Sequence, residues 1–334
     1  MPAISSGKVL VSGANGYVAV WVVRTLLEEG YSVRGAVRSV DKGKHLAELF
    51  TSYGDKFELV VVPDITQDGA FDEAVKGVDA IEHTASPFHF QADEPAELIE
   101  PALKGTVGIL ESAQQYGTSV KRVVVTSSCA AVLNVSTTPQ LLSELDWNNQ
   151  AVQEVEEKGR AASAASKYRT SKVLAERAAW DFVKKHKDEI GWDVSVMNPP
   201  LVVGPTIHDV SSIDALNTSA RMMYNAFTKP GGATGGGCWI DVRDLALAHV
   251  RALQKEEAGG ERMIITAGAF AWQDWLDAAP ASSKYQKGTP GAGRDMVHLL
   301  RYKNEKGIRI LGMQYRSMED TAAAVITDYE ARGW

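Results

Sequence analysis

Several features that mark particular protein classes are scarce or missing in this chain. Its 334 residues include only two cysteines, Cys129 and Cys238, so we expect no disulfide framework and infer a reducing compartment. The net charge is -7 at pH 7, and no nucleic-acid partner is expected because phosphate backbones bind clustered lysine and arginine. The seven histidines show neither HExxH nor any other metal-ligand spacing, so we expect no metal site.

Long hydrophobic runs are also missing. Residues 1–7 carry no charged region leading into an apolar segment, and the first apolar run, residues 9–11, stops before Gly13. We therefore expect neither a signal peptide nor a membrane span, and we place the protein in the cytoplasm. No Gly-x-Ser-x-Gly motif is present to support hydrolase chemistry.

The first half of the sequence alternates short apolar, β-branched runs with helical patterns, beginning with a helix over residues 18–29. Strands that alternate with helices form a parallel sheet covered on both faces. The predicted fold class is therefore α/β, a Rossmann-type doubly wound sheet in which ligands bind beyond the carboxyl ends of the strands. Six strands are predicted, at residues 8–12, 32–37, 58–62, 80–84, 123–127 and 194–198.

A different texture begins after Pro205. Residues 231–237, GGATGGG, are expected to form a mobile loop without strand or helix. A helical run over residues 245–253 is expected to return to the main domain. The predicted division is a main domain of residues 1–204, rejoined by about 238–266, and a smaller C-terminal lobe formed mainly by 205–237 and 267–334.

Gly13 and Gly16 flank a tight turn between the first predicted strand and the first helix. Glycine is needed there because the backbone turns sharply and approaches a phosphate closely. The free N–H groups and the dipole at the start of the helix favour an anion. Ala19 is small enough for the helix to pack closely against the strand. This placement predicts a site for a dinucleotide pyrophosphate.

The end of the second predicted strand indicates which nicotinamide cofactor binds. NAD-specific sites place Asp or Glu there to hold the ribose hydroxyls. Here the strand leads into Arg38, and Lys42 follows one turn later. A guanidinium makes bidentate, charge-assisted hydrogen bonds to a 2′-phosphate, each contributing about 1.5–3 kcal/mol. NADPH is therefore the predicted cofactor, the main domain of residues 1–204 is predicted to bind it, and the smaller C-terminal lobe is predicted to bind the substrate.

Tyr168 and Lys172 are four residues apart, so they project from one face of a helix. A free phenol has a pKa of about 10, and we expect the ammonium and an oxidised nicotinamide to lower the pKa of Tyr168. A lowered pKa makes the phenol a more efficient general acid. Ser128, at the end of the fifth strand, is expected to donate a hydrogen bond to the oxygen of a substrate carbonyl.

A second Tyr-x-x-x-Lys match, Tyr302 with Lys306, shows how unspecific the bare motif is. It lies beyond the glycine-rich segment, and no serine-bearing strand end comes shortly before it. We interpret it as a coincidental pair on one helix.

Five motifs that occur in order carry a family resemblance. They are GANGYVA at residues 13–19, HTASP at 83–87, VTSS at 125–128, YRTSK at 168–172 and NPPLVVGP at 198–205. The chain resembles the extended short-chain dehydrogenases/reductases of the dihydroflavonol-reductase-like branch, which include fungal methylglyoxal, aldehyde and ketone reductases. The resemblance runs from about Lys8 to the end, and it implies NADPH-dependent reduction of aldehydes or ketones to alcohols.

The resemblance also implies roles for individual residues. Ser128, Tyr168 and Lys172 correspond to the catalytic triad, with Lys172 also binding the nicotinamide ribose. Motif alignment alone selects Ser128, rather than the adjacent Ser127, as the serine that faces the substrate. The implied cofactor-binding residues are Gly13, Asn15, Gly16, Tyr17, Val18, Arg38, Lys42, Asp64, Ile65, Thr84, Ala85, Ser86, Thr126, Ser127, Tyr168, Lys172, Pro199, Leu201 and Val202.

An apolar pocket is expected to receive a small carbonyl substrate. One methylene in such a pocket is worth only about 1–3 kcal/mol, so broad carbonyl tolerance is expected. A closing movement of residues 231–237 over the substrate and a plain solvent loop are equally open. The predicted lining is Phe88, Phe90, Val132, Leu133, Pro200, Leu201 and Tyr224.

Three other functions remain open, because fold does not determine function. A nucleotide-sugar epimerase or dehydratase typically retains NAD, and Arg38 in place of an acid argues against it. A hydroxysteroid dehydrogenase can be distinguished only by assay. A non-catalytic NADP(H)-sensing regulator usually lacks the tyrosine or lysine, and both Tyr168 and Lys172 are present. A monomer and a homodimer are both compatible with the sequence.

Overall fold

Parallel strands form the main sheet of the computed structural model, which describes residues 3–86, 92–229, 231, 235–281 and 284–334. Sequences such as KVLVS and RVVVT are buried along almost their whole length, as strands covered by helices on both faces require. The strands are β1 Lys8–Ser12, β2 Ser32–Val37, β3 Phe57–Val61, β4 Ala80–His83, β5 Arg122–Thr126, β6 Gln140–Leu142, β7 Asp193–Asn198, β8 Leu201–Val203, β9 Gly236–Asp241, β10 Arg262–Ile264, β11 Gly268–Ala271 and β12 Leu300–Tyr302.

Helices cover both faces of the main sheet. α1 packs against α7 on one face and α3 against α5 on the other, each over an aliphatic core. Within the described residues, no helix is long and apolar enough to cross a bilayer. The helices are α1 Tyr17–Glu28, α2 Val40–Leu49, α3 Ala96–Tyr116, α4 Asn149–Lys158, α5 Ala164–Lys185, α6 Thr218–Thr228, α7 Val242–Gln254, α8 Trp272–Ala278, α9 Glu305–Leu311 and α10 Met318–Ala331.

The strand order locates the ligand crevice. Across the main sheet the order is β10-β7-β5-β4-β1-β2-β3, with every neighbouring pair parallel. The chain moves outward from β1 in one direction through β2 and β3, and in the other through β4 and β5. This reversal opens a crevice at the carboxyl ends of β1 and β4. The six predicted strands agree with the structure to within one residue at each end, and β10 is a seventh strand that was not predicted.

Two small sheets lie outside the main sheet. β8, β9 and β11 form one, and β6 pairs in parallel with β12 in the other. An aromatic cluster supports the first of these sheets, with Trp239 and Trp275 in edge-on contact at 4.7 Å between ring centroids. α7 and β10 pack with the main sheet, whereas β9 belongs to a small sheet. The exact division into two lobes stays a prediction.

The prediction of a structureless glycine segment is wrong at its C-terminal end. Gly236 and Gly237 begin β9, where they pair antiparallel with Ala271 and Phe270. A Cβ on Gly236 would lie 2.0 Å from the Phe270 carbonyl oxygen, so close strand approach, not flexibility, requires glycine there. Residues 232–234 lie outside the described part of the chain.

Candidate active site

The turn after β1 has the geometry of an anion site. Gly13 has φ of 62°, and a Cβ there would lie 3.1 Å from the Cα of Ala85. Gly16 is the N-cap of α1 and leaves the first helical N–H groups without a side-chain cap. Because such N–H groups and the helix dipole attract a phosphate, the turn fits a dinucleotide pyrophosphate.

Ser12 fastens this turn to the loop that follows β4. Its Oγ accepts hydrogen bonds from the backbone N–H groups of Thr84 at 3.0 Å and Ala85 at 3.1 Å. Its hydroxyl also lies 3.0 Å from Nδ1 of His83. Burial and the nearby Lys172 lower the pKa of His83 to about 3, so the ring is neutral. The two cofactor loops are therefore held at a fixed separation.

Arg38 directly follows β2 and Lys42 lies in the first turn of α2, and both are exposed. Within the described residues, neither side chain forms an ion pair. Ser39 caps α2 by accepting from the backbone N–H of Lys42, which fixes the start of that helix. Two uncommitted cations fit a 2′-phosphate, and no acid occupies the end of β2 to hold ribose hydroxyls in its place.

Asp64 and Ile65, the predicted adenine contacts, follow β3. The Asp64 carboxylate accepts from the backbone N–H of Thr66 at 2.9 Å and from Nε2 of Gln67 at 3.0 Å. Hydrogen bonds from Thr66 lower the pKa of this carboxyl. Ile65 packs toward Gly105 of α3. The structure thus shows Asp64 organising its own turn.

Ser128 and Tyr168 are brought together across the crevice. Ser163 caps α5 by accepting from the N–H of Ser166 at 3.1 Å, which starts the helix just before Tyr168. The Tyr168 phenol is hydrogen-bonded to the Ser128 side chain. Ser127 instead donates to Glu176 at 2.5 Å, inside the protein. The structure therefore places Ser128, and not Ser127, beside the tyrosine.

The neighbouring Lys172 does not lower the pKa of Tyr168, and the contribution expected from an oxidised nicotinamide stays a prediction. Desolvation by burial raises the pKa of this phenol to about 12, although the hydrogen bond with Ser128 acts in the opposite direction. The phenol therefore keeps its proton across the physiological range, as a proton donor must.

Lys172 lies one turn after Tyr168 and reaches the loop after β4. Its Nζ donates to Oγ of Ser86 at 3.1 Å, which links the catalytic helix to the predicted cofactor loop. Burial lowers the pKa of Lys172 to about 8, and the carboxylate of Glu176 opposes that shift. The ammonium form is thus close to its titration range at neutral pH.

The second tyrosine–lysine match is not a helix pair, so that interpretation is wrong. Tyr302 ends β12, whereas Lys306 belongs to α9. The Tyr302 hydroxyl donates to the Cys129 carbonyl oxygen over 3.5 Å, and Lys306 Nζ forms an ion pair with Glu261 at 2.5 Å. Because the two residues lie on different secondary-structure elements, they do not share the helical face that their spacing suggests.

Other predicted cofactor residues are committed to the protein through their side chains. The Tyr17 hydroxyl donates to the Gly204 carbonyl at 2.8 Å, so only its backbone N–H at the helix start remains for a phosphate. Thr126 Oγ1 lies 3.2 Å from Nε2 of His249. Pro199 is buried, and its carbonyl accepts from the N–H of Cys129 at 2.8 Å. The remaining predicted cofactor residues, Asn15, Val18, Leu201 and Val202, are each partly buried.

The predicted substrate lining is dispersed. Val132 has no exposed surface and packs with Cys129 and Tyr302, so its side chain does not face the crevice. Leu133 and Pro200 are partly exposed, close in sequence to Ser128 and Pro199. Tyr224 packs edge-on against Tyr329 and Trp334. Phe88 and Phe90 lie outside the described residues.

Three polar residues of the site were not selected from the sequence: Ser12, His83 and Glu176. All three are buried behind the predicted cofactor and catalytic residues. The step of four residues from Lys172 to Glu176, which repeats the step from Tyr168 to Lys172, is the signal that could have identified the carboxylate.

Comparison with known proteins gives consistent matches over nearly the whole chain. The chain is 36% identical over 334 residues to the ketoreductase azaE of Aspergillus niger, covering 96% of this chain and 96% of that protein. It is 35% identical over 344 residues to the NADPH-dependent methylglyoxal reductase GRE2 of Saccharomyces cerevisiae, covering 97% of this chain and 99% of that protein.

Solved structures agree with these sequence matches. The crystal structure of yeast methylglyoxal/isovaleraldehyde reductase Gre2 complexed with NADPH has a TM-score of 0.86 and 33% identity, covering 98% of this chain and 99% of that chain. The model of the NAD dependent epimerase/dehydratase family matches residues 9–268. The chain therefore belongs to the NAD dependent epimerase/dehydratase family, the extended short-chain dehydrogenases/reductases.

Proposed function

We propose that this protein is an NADPH-dependent carbonyl reductase that converts small or medium, largely apolar aldehydes and ketones to alcohols. The observation that carries the proposal is the alignment of Ser128, Tyr168, Lys172 and Ser86 beside the glycine turn. A proton donor, a hydroxyl and an ammonium thus meet at the carboxyl edge of the sheet, where such folds bind ligands.

Residues of the crevice would hold the cofactor by charge and by backbone. The glycine turn and the first N–H groups of α1 would bind the pyrophosphate, and Arg38 with Lys42 would bind the 2′-phosphate. Lys172 would hold the nicotinamide ribose beside Ser86. The remaining contacts stay predictions. When bound, NADPH supplies the hydride for the carbonyl carbon.

Ser128 and Tyr168 would act on the carbonyl oxygen. The Ser128 hydroxyl donates to the Pro199 carbonyl over 3.4 Å, a distance at which the bond is weak, so its proton is easily redirected to a substrate oxygen. The oxygen gains negative charge as the carbon is reduced, which strengthens this hydrogen bond. Tyr168 then donates its phenolic proton to this substrate oxygen, which forms the O–H bond of the alcohol.

The substrate class is tested by following NADPH consumption with a panel of aldehydes, α-dicarbonyls, ketoesters and dihydroflavonols. We expect turnover of several simple carbonyl compounds, with modest discrimination between substrates that differ by a methylene. Relatives named as a ketoreductase, a methylglyoxal reductase and a cinnamoyl-CoA reductase support this breadth. Turnover of a nucleotide-sugar, together with inertness toward every simple carbonyl, would contradict the proposal.

We also propose that the protein works in the cytoplasm, as a monomer or a homodimer. Two buried free cysteines, Cys129 and Cys238, support a reducing compartment. Fractionation of the cells that make the protein, and its mass in solution, test the two statements separately.

A further inference from the structure

A buried carboxylate lies one helical turn beyond Lys172. Glu176 is 1% exposed, yet three other elements of the main sheet supply its hydrogen-bond donors. Ser127 donates to Oε2 at 2.5 Å, Asn198 to Oε2 at 2.8 Å and Arg262 to Oε1 at 2.5 Å. The ends of β5 and β7, the strand β10 and the catalytic helix α5 therefore meet at one side chain.

The same carboxylate faces the catalytic lysine. Lys172 and Glu176 are four residues apart on α5 and line one small cavity, together with Ser86, Thr126 and Ser127. The Lys172 ammonium donates a hydrogen bond to Ser86. Its attraction to the Glu176 carboxylate acts across the cavity that both side chains line. Opposite charges attract strongly where little water screens them.

The other groups around the cavity do not compete for this role. His83, from β4, is neutral because its pKa lies at about 3, and α3 contributes the uncharged Thr106. Arg262 is bound to Glu176 and stacks on the Trp147 ring at 3.8 Å. Among the described residues that line the cavity, Glu176 is the one carboxylate that faces Lys172.

We propose that Glu176 is a positioning residue for carbonyl reduction, which holds Lys172 as an ammonium and fixes the strand end that carries Ser128 relative to α5. This inference rests on the proposed function, in which Lys172 acts as a cation. Ser127 links Glu176 to the catalytic hydroxyl: its own side chain binds Glu176, and the next residue, Ser128, is hydrogen-bonded to Tyr168.

The charge of Glu176 has a defined effect on titration. Burial alone lowers the pKa of Lys172, and Glu176 opposes this shift. Removing the negative charge therefore moves the loss of the ammonium to lower pH.

The same two strands provide a matched control at their opposite ends. Arg122 at the start of β5 and Asp193 at the start of β7 form a buried ion pair, with Nε and Oδ1 2.5 Å apart. Asp193→Asn breaks a buried arginine–carboxylate pair, as Glu176→Gln does, but at the edge of the sheet away from Lys172. Both variants should lower the melting temperature.

The experiment is the pH dependence of kcat/KM for NADPH between pH 6 and 10, with saturating methylglyoxal. For Glu176→Gln we expect the alkaline limb to move down by about half a pH unit or more relative to the unmodified enzyme. For Asp193→Asn the limb stays in place. Glu176→Asp, which restores the carboxylate, moves the limb back toward its original position. An unmoved limb in Glu176→Gln, with the same loss of stability as in Asp193→Asn, would overturn the proposal.

Two further measurements keep the test decisive. If Glu176→Gln does not fold, the double variant Glu176→Met with Arg262→Met replaces the buried pair by apolar side chains, which is often tolerated. The same downward shift is expected, and an unmoved limb overturns the proposal. NADPH affinity, measured by fluorescence across the same pH range, needs no substrate. If the enzyme reduces no carbonyl compound, the proposed function fails, while the affinity curves still decide the role of Glu176.

Discussion

At the catalytic end of the crevice Lys172 and Glu176 are buried and have defined hydrogen-bond partners, whereas Arg38 and Lys42 at the far end of the same crevice are exposed cations. Groups that carry out a reaction gain from being fixed before the substrate arrives, because reorganisation then adds nothing to the barrier. Groups that select a ligand by charge need only be nearby and uncommitted. The two ends should therefore respond differently to substitution.

The largest expected effect is at the catalytic end. Tyr168→Phe removes the proton donor and leaves the fold and cofactor loops intact, so reduction should fall by about 10²–10⁴-fold while NADPH still binds. Steady-state kinetics and a fluorescence titration of NADPH measure the two quantities. Tyr302→Phe is the control, since its hydroxyl contacts the carbonyl oxygen and the side chain of Cys129, and it should be nearly silent. The opposite ranking of the two variants would show that the wrong tyrosine was assigned.

At the far end the effect should fall on affinity, not on the reaction. Arg38→Asp should weaken NADPH binding by about tenfold or more and leave NADH binding unchanged or improved. Dissociation constants for both cofactors provide the measurement. Lys44→Ala is the control, since this exposed cation of α2 pairs with Asp41 at 2.7 Å and should not affect either cofactor. Equal affinities for NADPH and NADH in the unmodified protein would refute the role of Arg38.

A third substitution tests the connection between the glycine turn and the loop after β4. Ser12→Ala leaves the partly buried N–H groups of Thr84 and Ala85, and Nδ1 of His83, without their Ser12 partner, which should cost about 1–3 kcal/mol of unfolding free energy and weaken NADPH binding. Ser195→Ala removes a buried hydroxyl that donates to the Ala258 carbonyl, and it should spare the cofactor. Chemical denaturation and NADPH titration distinguish them. An unchanged NADPH affinity in Ser12→Ala would show that cofactor binding does not depend on the connection between the glycine turn and the loop after β4.

The last expected effect concerns pH. The folded-state pKa of Lys172, about 8, lies below its usual value of 10.5, so burial of the ammonium destabilises the fold fully below pH 8. This destabilisation is relieved as the pH rises from 8 toward 10.5. Lys172→Met should therefore increase the unfolding free energy of the cofactor-free protein most at pH 7, with a gain that shrinks above pH 8. A gain that is constant across this range would contradict the assignment.

The elements that could be predicted from sequence share a local signal. Strands such as residues 8–12 and 32–37 are apolar runs closed by turn residues, and the helical spacing of Tyr168 and Lys172 is visible in the letters. Glycine is required at position 236 because the Phe270 backbone approaches it closely, and no local sequence pattern reveals that contact. Tyr302 and Lys306 have the correct spacing but lie on different elements.

Long-range burial explains the remaining differences at the site. The pKa of Tyr168 depends on how much water its surroundings admit, and the sequence shows only the neighbouring lysine. The choice between Ser127 and Ser128 is made by Glu176, which lies 49 residues after Ser127 in the chain. When the role of a side chain depends on a buried partner, the sequence cannot assign that role until the position of the partner is known.

The exposure of Arg38 and Lys42 makes their interactions with a cofactor sensitive to the salt concentration. Interactions between solvated charges are screened over about 8 Å at physiological ionic strength and over about 3 Å at 1 M salt. Since the cations that would distinguish NADPH from NADH are solvated, the preference between the two cofactors should narrow as salt is added. The attraction between the buried Lys172 and Glu176 is shielded from dissolved ions by the protein itself. Cofactor choice is thus a property that the surrounding electrolyte can tune, and the proton-donating machinery is insulated from it.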